Sequence, residues 1–290
     1  MAQSQGTLNR RMIVDWLGIV PFMLFALLFL IIPTLYLVSG AFFTSEGALT
    51  LQNFVDLFKP NILAAYWISI KVSFASAIGG LLIGFFLAWA ITMGGLPGWV
   101  RSFFLTFSGV ASNFAGIPLA FAFLTTLGRT GLLTAILINW FGFNIYSHGF
   151  NLLSFFGLTL TYMYFQIPLM VLIITPALDG LKKEWHEAAS ILGADTRQYW
   201  TMVVLPVLWP SLMGTFLLLF AKSFGAIATA YALTGSSLNI VPIVLYAQIR
   251  GDVLHNANLG YAIALGMVVI TGVSNFLYIW LRMRAERWQK

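Results

Sequence analysis

Residues 187–206 read EAASILGADTRQYWTMVVLP, a charged, amphipathic segment set between two long apolar runs at 154–178 and 201–231. Each run is long enough for an α-helix to cross a hydrocarbon core of about 30 Å, which takes about 20 residues. A polar connector between two such runs lies on one face of a membrane. Within it, Glu187-Ala188-Ala189 is followed by three residues and Gly193, then by nine residues and Val203, and after one more residue by Leu205-Pro206. Ala188 and Ala189 are strong helix formers whose small side chains permit close approach. Gly193 can take the left-handed conformation that ends a helix. The spacing predicts a short rigid helix over 181–192, whose movement passes through a Leu205-Pro206 turn into the next span.

The rest of the chain agrees. It is 60% hydrophobic and only 8% charged, whereas a soluble domain carries roughly 25% charged residues. Too few charges remain to coat a water-facing surface, so the chain is a multi-span membrane protein. Six apolar stretches stand out, at 16–40, 66–92, 102–126, 154–178, 201–231 and 259–281. Alternating ten-residue strands are absent, which excludes a β-barrel. The expected fold is an all-α membrane protein with six transmembrane helices. The first stretch is longer than a signal-peptide core of about 7–15 residues and no A-x-A site follows it, so it reads as an uncleaved helix. Residues 1–15 form a polar N-terminal segment, 16–281 the six-helix domain and 282–290 a basic tail.

The basic residues give the orientation. With both ends on one side, that face collects Arg10, Arg11, Arg101, Lys182, Lys183, Arg197, Arg282, Arg284, Arg287 and Lys290, and the opposite face Lys59, Arg129 and Arg250. This positive-inside bias places both termini and the 187–206 connector in the cytoplasm. The outer segments are then 41–65, 127–153 (room for a short interfacial helix) and 232–258.

The matched spacing resembles the EAA loop of the permease subunits of binding-protein-dependent type I ABC importers, where E-A-A, three residues, G, nine residues, an aliphatic, one residue and L-P recur. The resemblance is strongest over 154–231 and covers 60–281 in general organisation. Pro210-Ser211-Leu212 after Leu205-Pro206 resembles the branch handling polyamines, iron and phosphonates. Polyamine permeases often place a carboxylate just after an F-G pair in the fifth span, whereas Phe224-Gly225 is followed here by Ala226, which counts against a polyamine.

The resemblance implies a coupling helix that docks into an ATPase. Glu187, Ala188, Ala189 and Gly193 form its motif, with Leu205 and Pro206 as its C-terminal mark. It further implies small-solute uptake by alternating access through a pore of which this chain is half. The implied partners are a second permease subunit, homologous or identical, two cytoplasmic ATPase subunits, and an external solute-binding protein, in the inner (plasma) membrane of a bacterium. The chain has no G-x-x-x-x-G-K-[ST], so it lacks the Walker A cradle for nucleotide phosphates. ATP and Mg would be bound by the partner ATPase, with no cofactor and no enzymatic activity in this chain. The alternative is a stand-alone secondary transporter or channel, against which stands the lack of carboxylates deep in the spans.

Candidate pore-lining residues are Asn113 in the third span, Tyr162 and Gln166 in the fourth, and Thr215, Lys222 and Thr229 in the fifth. Thr159, Tyr162 and Gln166 share one helical face, as do Ser211, Thr215, Lys222 and Thr229. Asn113, Tyr162 and Gln166 suit either the solute path or hydrogen bonds between helices. Lys222 suits either an anionic solute in the pore or snorkelling to the outer interface, and Lys71 a snorkelling anchor. Ser76, Gly80 and Gly84 make a small-residue face for close packing within the subunit or between subunits. There is no cysteine, and His148, His186 and His255 are dispersed without ligand spacing, so no metal site is expected. The basic balance sits at the ends of spans, which speaks for membrane lipid and against nucleic acid.

Overall fold

The computed structural model describes residues 19–235, 237–250 and 256–287, with side chains through 284. The 1–15 segment with Arg10 and Arg11, the residues Asp252 and His255, and the end of the basic tail lie outside the described residues. Among those described there is no β-strand, only an isolated bridge between Phe43 and Leu49. Six helical stretches are long and apolar enough to cross a membrane: Ile19–Gly40, Pro60–Met93, Ile117–Phe141, Phe155–Asp179, Thr196–Phe224 and Ala257–Arg284.

The helices in chain order are α1 (Ile19–Gly40), α2 (Gln52–Asp56), α3 (Pro60–Met93), α4 (Gly98–Ala111), α5 (Ile117–Leu127), α6 (Leu132–Phe141), α7 (Phe155–Asp179), α8 (Lys183–Ile191), α9 (Thr196–Phe224), α10 (Ile227–Thr234), α11 (Val241–Arg250) and α12 (Ala257–Arg287). Several boundaries differ from the sequence expectation. The third stretch, 102–126, is not one helix but α4 and α5 with a break at Ser112–Gly116. The fifth, 201–231, breaks at Gly225-Ala226. The outer segment 232–258 contains α11, and α3 begins at Pro60, inside the segment expected to be a loop. Leu205-Pro206 is not a turn but part of continuous helix.

The reason for the last difference is local. Proline has no N–H, and in a helix its ring collides with the carbonyl four residues back. Just before Pro206 the helix widens to a π-turn over Trp200–Val204, where the Leu205 N–H bonds to the Trp200 carbonyl. The widened turn admits the ring without ending the helix. The same device precedes Pro33, where the Ile32 N–H bonds to Leu27 across the π-turn Leu27–Ile31.

The chain divides into two compact units. One holds the described residues up to Lys59 together with 247–266. Its α1 exposes a continuous apolar surface suited to lipid. Gly40 lies so close to the ring of Tyr261 that a Cβ would approach it to 2.5 Å. The Asn53 amide, buried, donates to the carbonyls of Ala41 (2.9 Å) and Phe43 (3.0 Å). Asp56 accepts from Gln52 and pairs with Lys59, and these contacts hold its carboxyl below the usual range.

The other unit holds 60–246 and 267 onward. Its centre is α3 packed on α7. Cβ atoms on Gly80 and Gly84 would meet the Cβ atoms of Gln166 and Met170 at 2.7 and 2.6 Å. The small-residue face of α3 therefore serves packing within the subunit. One apolar cluster, with Leu158, Phe165, Leu119 and Leu233, packs around the first half of α7, and another, with Met170, Ile174, Leu178 and Leu208, around its second half. Arg101 near the start of α4 pairs with Asp179 at the end of α7.

The polar connector and the paired helix breaks

The connector is a chain of short rigid pieces. Lys183–Ile191 form α8, with Glu184 in its first turn, where a carboxylate suits the positive helix end. Ala189 is its buried residue, the inward side of an amphipathic turn. Gly193 ends it at φ +76°. The Gly193 N–H bonds to the Ser190 carbonyl at 3.0 Å and the Ala194 N–H to the Ala189 carbonyl at 2.9 Å. These are the two bonds of a Schellman cap. One residue later Asp195 starts α9 with a capping box: its carboxylate accepts from the Gln198 N–H (2.7 Å), and the Gln198 amide oxygen accepts from the Asp195 N–H (2.8 Å). The rings of His186 and Tyr199 meet across the link at 4.7 Å. The connector is thus fixed to α9 by caps at both sides of one glycine.

What this rigid corner presents is apolar. Ile191 and Leu192 are each 86% exposed, and Met202 is 73% exposed. They flank a groove of about 600 Å³ lined by Trp185, Ala188, Ala189, Leu192, Tyr199 and Met202, among others. Two adjacent aliphatic side chains held out on a capped helix end form a surface shaped for a protein partner. Glu187 and Ala188 are exposed on the same short helix, and Leu205 and Pro206 lie on α9 beyond the π-turn.

The second feature lies within the spans. The two broken helices meet at their breaks. The Gly116 N–H, at the start of α5, donates to the Thr229 hydroxyl of α10 at 2.7 Å. The Lys222 ammonium donates to the Ser112 carbonyl, at the end of α4, at 2.8 Å. It also faces the ring of Phe165 at 5.2 Å. The Tyr162 hydroxyl of α7 donates to the Ala226 carbonyl in the second break at 2.8 Å. The Gln166 amide donates to Ser76 (3.2 Å) and to the Leu219 carbonyl (3.4 Å), bridging α7 to α3 and α9. Tyr162 lies seven residues inside α7, which is about 10 Å from that helix end.

Irregular backbone at such depth is tolerated only where protein buries it or where it lines a watery cavity. The breaks are buried on one side and exposed on the other. Ser112 is buried, but Asn113 and Phe114 in the first break and Gly225 in the second are exposed. Asn113 satisfies its amide on the Gly109 carbonyl of its own helix at 2.9 Å. Of the six sequence candidates, Tyr162, Gln166, Thr215 and Thr229 are buried, Lys222 is half-buried and Asn113 exposed. Thr215 bonds back to the Ser211 carbonyl of α9, apart from the breaks. Thr229 does not continue the face of Ser211, Thr215 and Lys222, because the chain breaks before it. Sequence reasoning did not single out Phe165 or the exposed pair Ile191 and Leu192, and it noted Ala226 only for its lack of a carboxylate. The carbonyl of Ala226 carries no side-chain signal at all.

Comparison with known proteins completes the picture. No protein-family model matches the chain. The spermidine/putrescine transport system permease protein PotB of Haemophilus influenzae is 26% identical over 257 residues, 86% of this chain and 87% of the relative. The sulfate transport system permease protein CysW of Escherichia coli is 27% identical over 217 residues, 74% of this chain and 69% of the relative. A chain of a bacterial ABC transporter involved in the import of the acidic polysaccharide alginate superposes with a TM-score of 0.70 at 18% identity, covering 98% of this chain and all of that one. These relatives favour the importer reading over a stand-alone carrier. The chain is thus similar over most of its length to permease subunits of bacterial transport systems, and its fold matches that of a transmembrane chain of an ABC importer throughout.

Proposed function

We propose that this chain forms half of a solute path through the inner membrane and that the corner at Glu187–Gly193 couples it to a separate ATPase. Glu187, Ala188, Ala189 and Gly193 build the docking helix, and Leu205 and Pro206 belong to the rod that leaves it. The observation that carries the reading is the exposed pair Ile191 and Leu192, held on a Schellman cap that a mere connector has no need to make apolar. From the capping box α9 runs 29 residues to Phe224, about 43 Å at 1.5 Å per residue, and ends at the paired breaks. A push at the corner therefore arrives at the polar face through one helix.

In this proposal residues 16–281 act as the membrane domain, with both termini and the corner in the cytoplasm. The partners are a second permease chain, homologous or identical, two ATPase subunits that bind ATP and Mg, and an external solute-binding protein. A solved alginate transporter holds such a periplasmic protein. Asn113 and Lys222 face the path, while Tyr162, Gln166 and Thr229 hold the breaks that shape it and Thr215 lies on α9 below them. The relatives carry both polyamine and sulfate in their names, so they leave the charge of the solute open.

The test is affinity purification of the tagged chain in mild detergent. The wild type should bring an ATPase with it, and Leu192→Asp and Glu187→Arg should each lose it while eluting as folded protein. An ATPase that stays with Leu192→Asp would overturn the role given to this corner.

A further inference from the structure

We infer that the solute passing the paired breaks carries a negative charge and that Lys222 is the residue that selects it. The inference rests on reading that face as the path. Two lysines lie within the spans. Lys71 is exposed against the ring of Trp67, 5.6 Å away. Only Lys222 reaches the breaks. No carboxylate pairs with it among the described residues. The acidic residues of the chain are at positions 15, 46, 56, 179, 184, 187, 195, 252 and 286, none within the interior of α3, α4, α5, α7 or α9. A cation entering here meets no carboxylate of this subunit.

What holds the ammonium in place compensates it only in part. Its partner at 2.8 Å is the carbonyl of Ser112, the residue that caps the end of α4, where a helix dipole supplies about half a negative charge. An ammonium has three N–H donors, and that bond uses one. The side chain remains half-exposed, next to the exposed backbone of Gly225 and the break with Asn113. Lys222 also lies in the last turn of α9, whose negative end favours the ammonium, while α5 begins at the break with Gly116 at its N-cap and sets a positive helix end against the two negative ones. A lone charge at membrane depth is costly and persists where it has a task. An anionic group supplies the missing negative charge, takes the free donors and is drawn in. A cation is repelled by both.

The experiment uses the complete complex in ATP-loaded vesicles, with its external binding protein. The solute released from the denatured binding protein is identified by mass spectrometry, and sulfate and spermidine serve as fixed probes of opposite charge. Lys222→Gln keeps an N–H for the Ser112 carbonyl but removes the charge, which separates selection from structure. The released solute should be an acid at neutral pH. Its uptake should fall about ten- to a hundredfold in Lys222→Gln, the range for losing one charge-assisted hydrogen bond, and be largely retained in Lys222→Arg, with the ATPase bound in all three. A neutral or cationic solute, spermidine uptake by the wild type, or unchanged uptake in Lys222→Gln overturns the inference. Absence of an ATPase from the wild-type complex instead removes the permease reading beneath it.

Discussion

Single residues decide two of the sharpest features. Gly193 sits at φ +76°, where a β-branched side chain is strained by roughly 1–2 kcal/mol. Space is not the issue there, since a Cβ would meet nothing within 4 Å. Gly193→Val should therefore leave the spans folded and disturb only the corner, and solute-stimulated ATP hydrolysis should drop while the melting temperature changes little. Gly84 is the opposite case. Its backbone is ordinary, but a Cβ would approach Met170 and the Ile167 carbonyl at 2.6 and 2.8 Å. Gly84→Leu should cost about 1–3 kcal/mol or more by overpacking and lower the melting temperature in detergent, whatever it does to transport. The sequence shows both glycines, but only the backbone angle and the neighbour distances separate a cap from a close approach.

At the level of elements, the proposed function makes α9 the transmission rod, and its join to α8 is the capping box at Asp195 and Gln198. Asp195→Ala removes a cap worth about 1 kcal/mol, which is too little to unfold the span. It should loosen the corner from the rod, so that the ATPase still binds but fewer solute molecules cross per ATP hydrolysed. The ratio of uptake to phosphate release measures this directly. The apolar runs were legible in the sequence because length and hydropathy alone define a span. The breaks were not legible as breaks. Phe224-Gly225-Ala226 reads as apolar chain, and what pairs the two breaks is a bond from the Gly116 N–H to the Thr229 hydroxyl and one from the Lys222 ammonium to the Ser112 carbonyl, each joining residues more than a hundred positions apart. Leu205-Pro206 misled in the other direction. Proline usually ends a helix, but the π-turn before it lets α9 continue.

At the scale of the whole molecule, polarity is sorted rather than mixed. Lys222, Thr229, Tyr162 and Gly116 bond across the two breaks of the larger unit, and the exposed apolar corner lies at Ile191 and Leu192. A membrane protein driven by its own ion gradient would place carboxylates deep in its spans, and the acidic residues of this sequence fall at span ends or between spans. The division of labour in the proposed function, with force received at the corner and solute met at the breaks, requires partners for both. The EAA spacing was legible because it is local. The exposed apolar surface was not, because exposure of Ile191 and Leu192 depends on which way the Schellman cap turns the chain.

The most direct test of that division uses the absence of cysteine from the chain: a single introduced cysteine is the only thiol and carries a photo-crosslinker to one defined place. Placed by Leu192→Cys in native membranes, it should yield a covalent adduct with an ATPase subunit on illumination, whereas the exposed outer position Asn144→Cys should not. No ATPase adduct from position 192 in a complex that still transports, or an equal adduct from both positions, would contradict the account.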